Sequence, residues 1–320
     1  MVSKPSKTII RTMGAPGKGY YIYRHQGKEI PFGEALCNAG YWNTGDISKA
    51  RIVLMDVDTA GRVAHFQKDK TKLFVYPHAA RPFVGWDGLF TSSQHTSAAF
   101  VFAEGHIDVI RAYGYKKPLH PVGWAYSEIK PFVPASDPKK ILFAPIHPNR
   151  NGWLSAMDKN INKRTYKILL DMIDTHDMSL TVRLIRGLDA NGLWKDNRVC
   201  YVEGQTNTKQ MDDLARADIG VSHQTYAWIG VALGRPMVMM GEGEAPRNGG
   251  SEADFKQVKS WDLYRHLLAF PLDILNTEDP YGLLVQACES DECIRDWKSR
   301  MIGSETFDPK KFISAMEMYL

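Results

Sequence analysis

Short apolar runs recur along the whole chain, and residues that favour turns separate them. In the first half, five runs rich in β-branched or aromatic residues predict buried strands, at 8–11, 51–55, 72–76, 98–102 and 119–122. A helical stretch over 107–113 follows the fourth run. The polar, proline-bearing segment 130–139 comes after the fifth run, and its composition predicts a linker.

A second series of strands and helices begins directly after this segment. Its apolar runs predict strands at 141–144, 180–185, 198–202, 219–221 and 236–240. The remaining segments predict helices, at about 160–173, 209–216, 226–233, 283–288 and 312–320. In the first of these helices Tyr166, Leu169 and Ile173 recur at helical spacing. Short apolar strands that alternate with helices indicate parallel sheets covered on both faces.

The length of the chain agrees with two such units, because 320 residues exceed what a single small core needs. We therefore predict an α/β fold of two Rossmann-like domains that face a cleft. The predicted boundaries are 1–134 for the N-terminal domain and 135–304 for the C-terminal domain. A last helix within 305–320 is predicted to return to the N-terminal domain.

Composition narrows the class of protein. Apolar residues make up 44% and charged residues 24%, which is typical of a chain that folds throughout. The absence of a long apolar run and of a secretory signal predicts a soluble, cytoplasmic protein without a membrane segment. Four scattered cysteines favour reduced thiols, and the pair Cys288 and Cys293 lacks neighbouring ligands, so we predict no metal site.

Positive charge is concentrated at the start of the chain. The net charge is only +4, but residues 1–30 hold six lysines and arginines against one acid, interleaved with three tyrosines. Basic and aromatic residues together can hold phosphates and stack on bases. A solvated basic edge of a β-hairpin explains the same pattern. The segment 14–19 lacks phosphate-loop spacing, which favours a turn between two N-terminal strands.

The segment 140–242 resembles the donor-binding domain of GT-B glycosyltransferases. The similarity lies in ILFAPIHPNRNGW, in LTVRLI, and in a strand, a Ser-containing turn and a helix before the strand that follows ALGRP. It is similar above all to the branch of CDP-glycerol glycerophosphotransferases and nucleotide-sugar epimerases. This resemblance implies an enzyme that moves a sugar from a nucleotide-diphosphate sugar, such as a UDP-sugar, to an acceptor hydroxyl. No bound cofactor and no metal ion are implied.

The turn after the strand 219–221 is the leading candidate for the phosphate site. Ser222 is a natural N-cap for the following helix, whose free amides and positive dipole end would point into the crevice beyond the sheet. We predict that Ser222, His223, Gln224 and Thr225 contact the donor diphosphate. Alternatively, Ser222 only caps the helix and His223 packs in the core.

Further donor contacts are expected on neighbouring loops. Arg183 and Arg186 carry guanidinium forks that suit phosphate oxygens, but residues three apart on a strand lie on opposite faces, so we expect at most one to reach the donor. The resemblance implies that Gln205 and Thr206 contact the base and ribose.

Two more donor contacts follow from the resemblance. It implies that an acid, Glu242 or its rival Glu244, holds a sugar or ribose hydroxyl. It also places His147 in a loop that neutralises charge on the leaving diphosphate. A solvated loop histidine is the alternative interpretation of His147.

The catalytic base is expected in the N-terminal domain, which faces the acceptor in this class of enzyme. Candidates are His78, Asp58 and Asp87. His78 corresponds to a loop histidine of the glycerophosphotransferase-like relatives, although their neighbouring His-Gly pattern is absent here. Asp58 can instead cap a turn, and His78 can instead be a core histidine.

The acceptor is expected to be anionic. We predict that Lys18, Arg24 and Lys28 contact it, and that it is DNA with hydroxymethylated pyrimidines, as in phage enzymes that glycosylate such bases. A glycerophosphotransferase or glycosyltransferase of cell-surface polymers and a nucleotide-sugar epimerase share the donor domain and stay open. A non-catalytic module that binds nucleotide sugar or nucleic acid is the alternative from a different class.

Overall fold

Two parallel β-sheets with surrounding helices form the fold. A computed structural model describes residues 18–23, 31–55, 71–76, 96–105, 107, 111, 115–135, 137–147, 156–184, 196–203, 207–223, 225–241 and 270–320. The predicted strand at 8–11 and most of the glycine-containing segment 14–19 lie outside these residues. Within the described ranges no helix is both long and apolar enough to cross a membrane.

In the described part of the chain, the first sheet has six strands, all paired in parallel. They are β1 (Gly19–Tyr23), β2 (Trp42–Asn43), β3 (Ile52–Met55), β4 (Lys72–Val75), β5 (Ala98–Val101) and β6 (Leu119–Pro121), in the order β2-β1-β3-β4-β5-β6. Helix α1 (Pro31–Asn38) connects β1 to β2. Strands β3 and β5 are buried at every position, which explains why they read as unbroken apolar runs.

The second sheet has five parallel strands among the residues that the structure describes. They are β7 (Lys140–Ala144), β8 (Ser179–Leu184), β9 (Cys200–Glu203), β10 (Ile219–Ser222) and β11 (Met237–Met239), in the order β11-β10-β7-β8-β9. Within the described residues, three helices alternate with them, α2 (Ala156–His176), α3 (Asn207–Arg216) and α4 (Thr225–Ala232). The α/β class with two parallel-sheet domains is thereby confirmed.

Three helices complete the described C-terminal part, α5 (Pro280–Glu289), α6 (Glu292–Met301) and α7 (Pro309–Glu317). Helices α5 and α7 begin with proline, and Asp279 and Asp308 before them accept hydrogen bonds from backbone amides of the first turn. Trp297 of α6 packs edge-on against Trp228 of α4, with ring centroids 4.9 Å apart. Helix α6 therefore belongs to the core of the second sheet.

Helix α7 packs on the first sheet instead. Its Phe312 lies 5.0 Å from Phe32 of α1 and 4.8 Å from Phe100 of β5, measured between ring centroids. Met316 is fully buried in the same apolar cluster. The last helix thus contacts the N-terminal half, while the exact boundaries 1–134, 135–304 and 305–320 stay predictions.

Two segments cross side by side between the halves. Trp124 forms a parallel bridge with Thr306, its amide donates to the Glu305 carbonyl at 2.9 Å, and the Phe307 amide donates to the Trp124 carbonyl at 2.8 Å. We call the paired segments around Trp124 and Thr306 the ribbon. After the ribbon, the predicted linker 130–139 forms hydrogen bonds with the second domain. The amide of Lys130 donates to Ala232 at 2.7 Å.

The interpretation of segment 1–30 as a hairpin edge does not hold for its described residues 19–23. Strand β1 lies inside the first sheet, parallel to both β2 and β3. Tyr20 is 3% exposed, and its hydroxyl lies 3.2 Å from the thiol of Cys37. Because this ring is enclosed by the sheet and α1, it cannot stack on a nucleic-acid base.

Candidate functional site

The strand order of the second sheet reverses between β7 and β10. From β7 the chain continues to β8 and β9 on one side, whereas β10 and β11 lie on the other side. In open parallel sheets such a switch point leaves a crevice at the carboxyl ends of the two strands. Ala144 ends β7 and pairs in register with Ser222, which ends β10. The residues after these two ends therefore form the candidate site.

Ser222 joins the two strands at this point. Its hydroxyl donates to the Ala144 carbonyl at 2.9 Å, and the residue is 2% exposed. The prediction that Ser222 caps the next helix is wrong, because Ser222 still belongs to β10 and α4 begins only at Thr225. Its single hydroxyl hydrogen is used within the sheet, so Ser222 does not offer it to a phosphate.

The start of α4 remains at the crevice as predicted from the pattern. Only residues 223 and 224 separate β10 from Thr225. Free amides at a helix start attract anions. The His223 side chain is buried, 7% exposed, which agrees with the packing alternative. Gln224 and the side chain of Thr225 lie outside the described residues.

The loop after β7 is held by a side chain from helix α2. Asn162, which is 1% exposed, accepts a hydrogen bond from the Ile146 amide and donates one to the Ile146 carbonyl, both at 2.8 Å. His147 follows Ile146 and is exposed. The predicted donor histidine therefore stands beyond the carboxyl end of β7, next to a backbone position that Asn162 secures.

Arg183 does not face the crevice. Its side chain is completely buried and forms an ion pair with Asp213 of α3, whose side chain is 9% exposed. Strand β8 points this guanidinium inward, and a buried charge requires such a partner. The prediction that Arg183 binds the donor phosphate is therefore wrong. Burial raises the pKa of the nearby Tyr226 phenol, so this ring stays neutral beside the pair.

The turn after β11 is secured by a carboxylate. Asp273 accepts hydrogen bonds from the amides of Gly241 at 2.9 Å and of Leu275 at 3.0 Å. Gly241 has a φ of 71°, the left-handed region that glycine tolerates best. The backbone is thus held at the position from which the chain proceeds to Glu242. The side chain of Asn276 also donates to Asp273, at 3.2 Å.

Lys18 lies at the wrong edge of the first sheet for the predicted acceptor contact. It precedes β1, at the amino end of the strand, whereas ligands of parallel sheets bind at the carboxyl ends. Its ammonium lies 5.2 Å from the centroid of the Tyr41 ring, a cation–π contact. Arg24 and Lys28 follow the carboxyl end of β1 in sequence and lie outside the described residues.

Several predicted site residues are outside the part of the chain that the structure describes. These are the base candidates Asp58, His78 and Asp87 and the donor candidates Arg186, Gln205, Thr206, Glu242 and Glu244. In sequence, Asp58 follows the end of β3 and His78 follows the end of β4. Their predicted roles stay predictions.

The sequence reasoning missed Asn162 and Asp273. A signal for Asn162 was present, since it shares helical spacing with Tyr166 and Leu169 and so occupies the apolar face of α2. A polar residue on such a face needs hydrogen-bond partners. Asp273 had no comparable signal, because its partner Gly241 lies 32 residues away in sequence.

The chain matches known proteins only by structure. No protein-family model and no curated protein sequence matches it. The glycosyltransferase SnogD from Streptomyces nogalater has a TM-score of 0.51 and 12% identity, over 94% of this chain and 98% of SnogD. Over nearly the full length of both proteins, this chain therefore has the fold of a GT-B glycosyltransferase.

Two further structures are similar at lower scores. The UDP-glucosyltransferase from Polygonum tinctorium has a TM-score of 0.45 and 10% identity, over 89% of this chain and 77% of that one. The GtfA/B complex has a TM-score of 0.42 and 12% identity, over 84% of this chain. The chain spans 57% of the length of the GtfA/B protein that it matches.

Proposed function

We propose that this protein is a glycosyltransferase that uses a nucleotide-diphosphate sugar, with a UDP-sugar as the first candidate. One observation carries the proposal: the carboxyl ends of β7 and β10, the start of α4 and the loop of His147 meet at the switch point of the second sheet. This is where parallel sheets bind phosphate-bearing ligands. The likeness to the fold of SnogD supports the same function.

The proposed donor lies with its diphosphate at the start of α4. The exposed side chain of His147 then neutralises negative charge that develops on the leaving nucleoside diphosphate. In the transfer, the acceptor oxygen forms a bond to the anomeric carbon while the bond from this carbon to the diphosphate breaks. The proton of the acceptor hydroxyl passes to a base, for which His78, Asp58 and Asp87 are the candidates.

A panel of nucleotide sugars tests this proposal. We expect one of them, incubated with the protein, to release its nucleoside diphosphate, and calorimetry to detect binding of that diphosphate alone. His147→Ala should lower the rate about 100-fold while the protein still folds. Isomerisation of the sugar or consumption of CDP-glycerol would instead assign one of the related reactions. Binding without turnover would assign a non-catalytic module.

We further propose that transfer needs no divalent cation, because protein groups at the donor site carry out the charge neutralisation. Turnover measured in excess EDTA should equal turnover in its absence. Loss of activity in EDTA that Mg²⁺ or Mn²⁺ restores would overturn this part of the proposal and leave glycosyl transfer itself intact.

The narrower proposal is that the acceptor is DNA with hydroxymethylated pyrimidines. In sequence, Arg24 directly follows β1 and Lys28 comes five residues after the end of this strand, and parallel sheets bind ligands at the carboxyl ends of their strands. Replacing either by Ala should reduce the slope of log K against log salt by about 0.9 for each phosphate that the protein no longer neutralises. Lys18→Ala is the matched control, since Lys18 lies at the opposite edge and should leave the slope unchanged.

The product identifies the acceptor directly. We expect a mass gain on a nucleoside after digestion of treated hydroxymethylated DNA, and none with plain DNA. Modification of a small neutral acceptor alone, or a salt slope that stays unchanged in both Arg24→Ala and Lys28→Ala, would refute the DNA acceptor.

A further inference from the structure

Helix α2 carries a polar stripe on its buried face. Asp158, Asn162 and Thr165 follow at helical spacing and are 6%, 1% and 0% exposed. Buried polar side chains are costly unless hydrogen bonds satisfy them, so a purely structural helix would carry apolar residues here. The stripe belongs to the first half of the helix, which follows the loop after β7.

Asn162 supplies hydrogen bonds to the backbone two residues beyond the end of β7. Its carboxamide exchanges two hydrogen bonds with the backbone of one residue, Ile146, as opposite residues do in an antiparallel pair. Both bonds are 2.8 Å long. Among the described residues, the pairing of β7 with its neighbours ends at Ala144, and Asn162 holds the backbone of Ile146 beyond it. Ile146 is half-buried and His147 is exposed, so the chain turns to solvent immediately after the contact.

We infer that Asn162 is a positioning residue, which holds the loop after β7 so that His147 meets the diphosphate of the donor. This inference rests on the proposed function of His147. Asn162 touches the backbone next to the histidine and acts through it. Because displacement of a catalytic group by about 1 Å can lower a rate about 100-fold, the loop must be fixed before the donor binds.

Amide hydrogen exchange tests the contact without any assay of activity. In the wild type the amide of Ile146 should be protected, because it donates to a buried carboxamide. Asn162→Ala should make this amide exchange at least tenfold faster. Asn160→Ala is the matched control, since Asn160 is exposed on the same helix and should leave the exchange unchanged. Equal protection of Ile146 in all three proteins would overturn the inference.

A double-mutant cycle tests the positioning role. Asn162→Ala should lower kcat/KM for the donor about tenfold in the wild-type background and less than twofold in the His147→Ala background, because the residue to be positioned is then missing. A merely structural residue would lower kcat/KM equally in both backgrounds. Additive effects therefore overturn the inference and leave the proposed function standing. Unchanged transfer in His147→Ala would overturn the role of His147 and this inference with it, while glycosyl transfer itself would stand.

Asn162→Asp adds a second readout, the pH dependence of activity, which a loss of packing would not change. A protonated carboxyl can donate to the Ile146 carbonyl and accept from its amide, whereas an ionised carboxylate can only accept. The activity of this variant relative to wild type should therefore rise as the pH falls. The exposed control Asn160→Asp should keep a constant ratio. A constant ratio for Asn162→Asp as well would count against the two-bond geometry and overturn the inference.

Discussion

The buried ion pair of Arg183 and Asp213 makes the strongest prediction about stability. The Arg183 side chain is 0% exposed and that of Asp213 is 9% exposed. Removing one partner of a buried pair leaves the other charge in a medium of low polarity, which costs about 3–5 kcal/mol. We expect Asp213→Ala to lose this amount, which is a large share of the about 5–15 kcal/mol by which domains are typically stable.

Denaturation in urea measures this loss, with the free energy of unfolding extrapolated to water. The control is Asp296→Ala, which breaks the pair with Arg300 on α6. That pair is 2.8 Å long, but its side chains are 43% and 81% exposed, so we expect a loss of about 0.5 kcal/mol or less. The reasoning is refuted if the two variants lose equal stability.

The same pair decides whether Arg183 is a donor ligand. Replacing both charges, with Arg183→Met and Asp213→Leu together, should restore most of the stability, because apolar residues of similar volume need no charged partner. This double variant should bind the nucleoside diphosphate within about twofold of wild type, less than the 1.4 kcal/mol of a tenfold change. A stable double variant that no longer binds it would show that Arg183 reaches the phosphates after all.

Two further predictions concern stability. Gly234 has a φ of 71° and a Cβ there would collide with the Pro131 carbonyl, so Gly234→Ala should lower the free energy of unfolding by more than about 3 kcal/mol. Gly45 has a φ of 63° with open space around it, so Gly45→Ala should lower this free energy by only about 1–2 kcal/mol. Urea denaturation of both variants compares the two losses, and equal losses would contradict the argument. Burial lowers the pKa of His120, whose ring nitrogen lies 2.8 Å from the Tyr319 hydroxyl. The contribution of His120 to stability is therefore complete above the ordinary pKa of 6.5 and is lost as the pH falls through the depressed value. Thermal denaturation should show this loss in the wild type and a weaker one in His120→Gln.

The strands of the second sheet could be predicted because parallel strands covered on both faces must be apolar at nearly every position. Strand β10 and strand β11 were found in this way within one or two residues of their bounds. Helix α2 extends beyond its predicted range of 160–173 to Ala156 and His176, since its terminal turns are polar and add nothing to the apolar period.

The errors at the candidate site arose where contacts distant in sequence decide the outcome. Ser222 has the local pattern of an N-cap, but its hydroxyl binds Ala144, 78 residues earlier. Arg183 suits a phosphate by its shape, but Asp213 lies 30 residues away on a helix whose orientation the sequence does not reveal. Tyr20 fits a hairpin edge locally, but the pairing of its strand with β2 and β3 and the cover of α1 enclose it.

The ribbon of Trp124 and Thr306 has a mechanical consequence. A single tether lets two bodies twist freely about it, but here two chains run parallel and are joined by hydrogen bonds. Gly123 lies so close to the Thr306 carbonyl that a Cβ could not fit between them. Beyond the ribbon, the amide of Val133 is fastened to Gly234 at 2.8 Å. Any rotation of one half against the other would therefore have to flex both chains together, so the paired segments resist torsion.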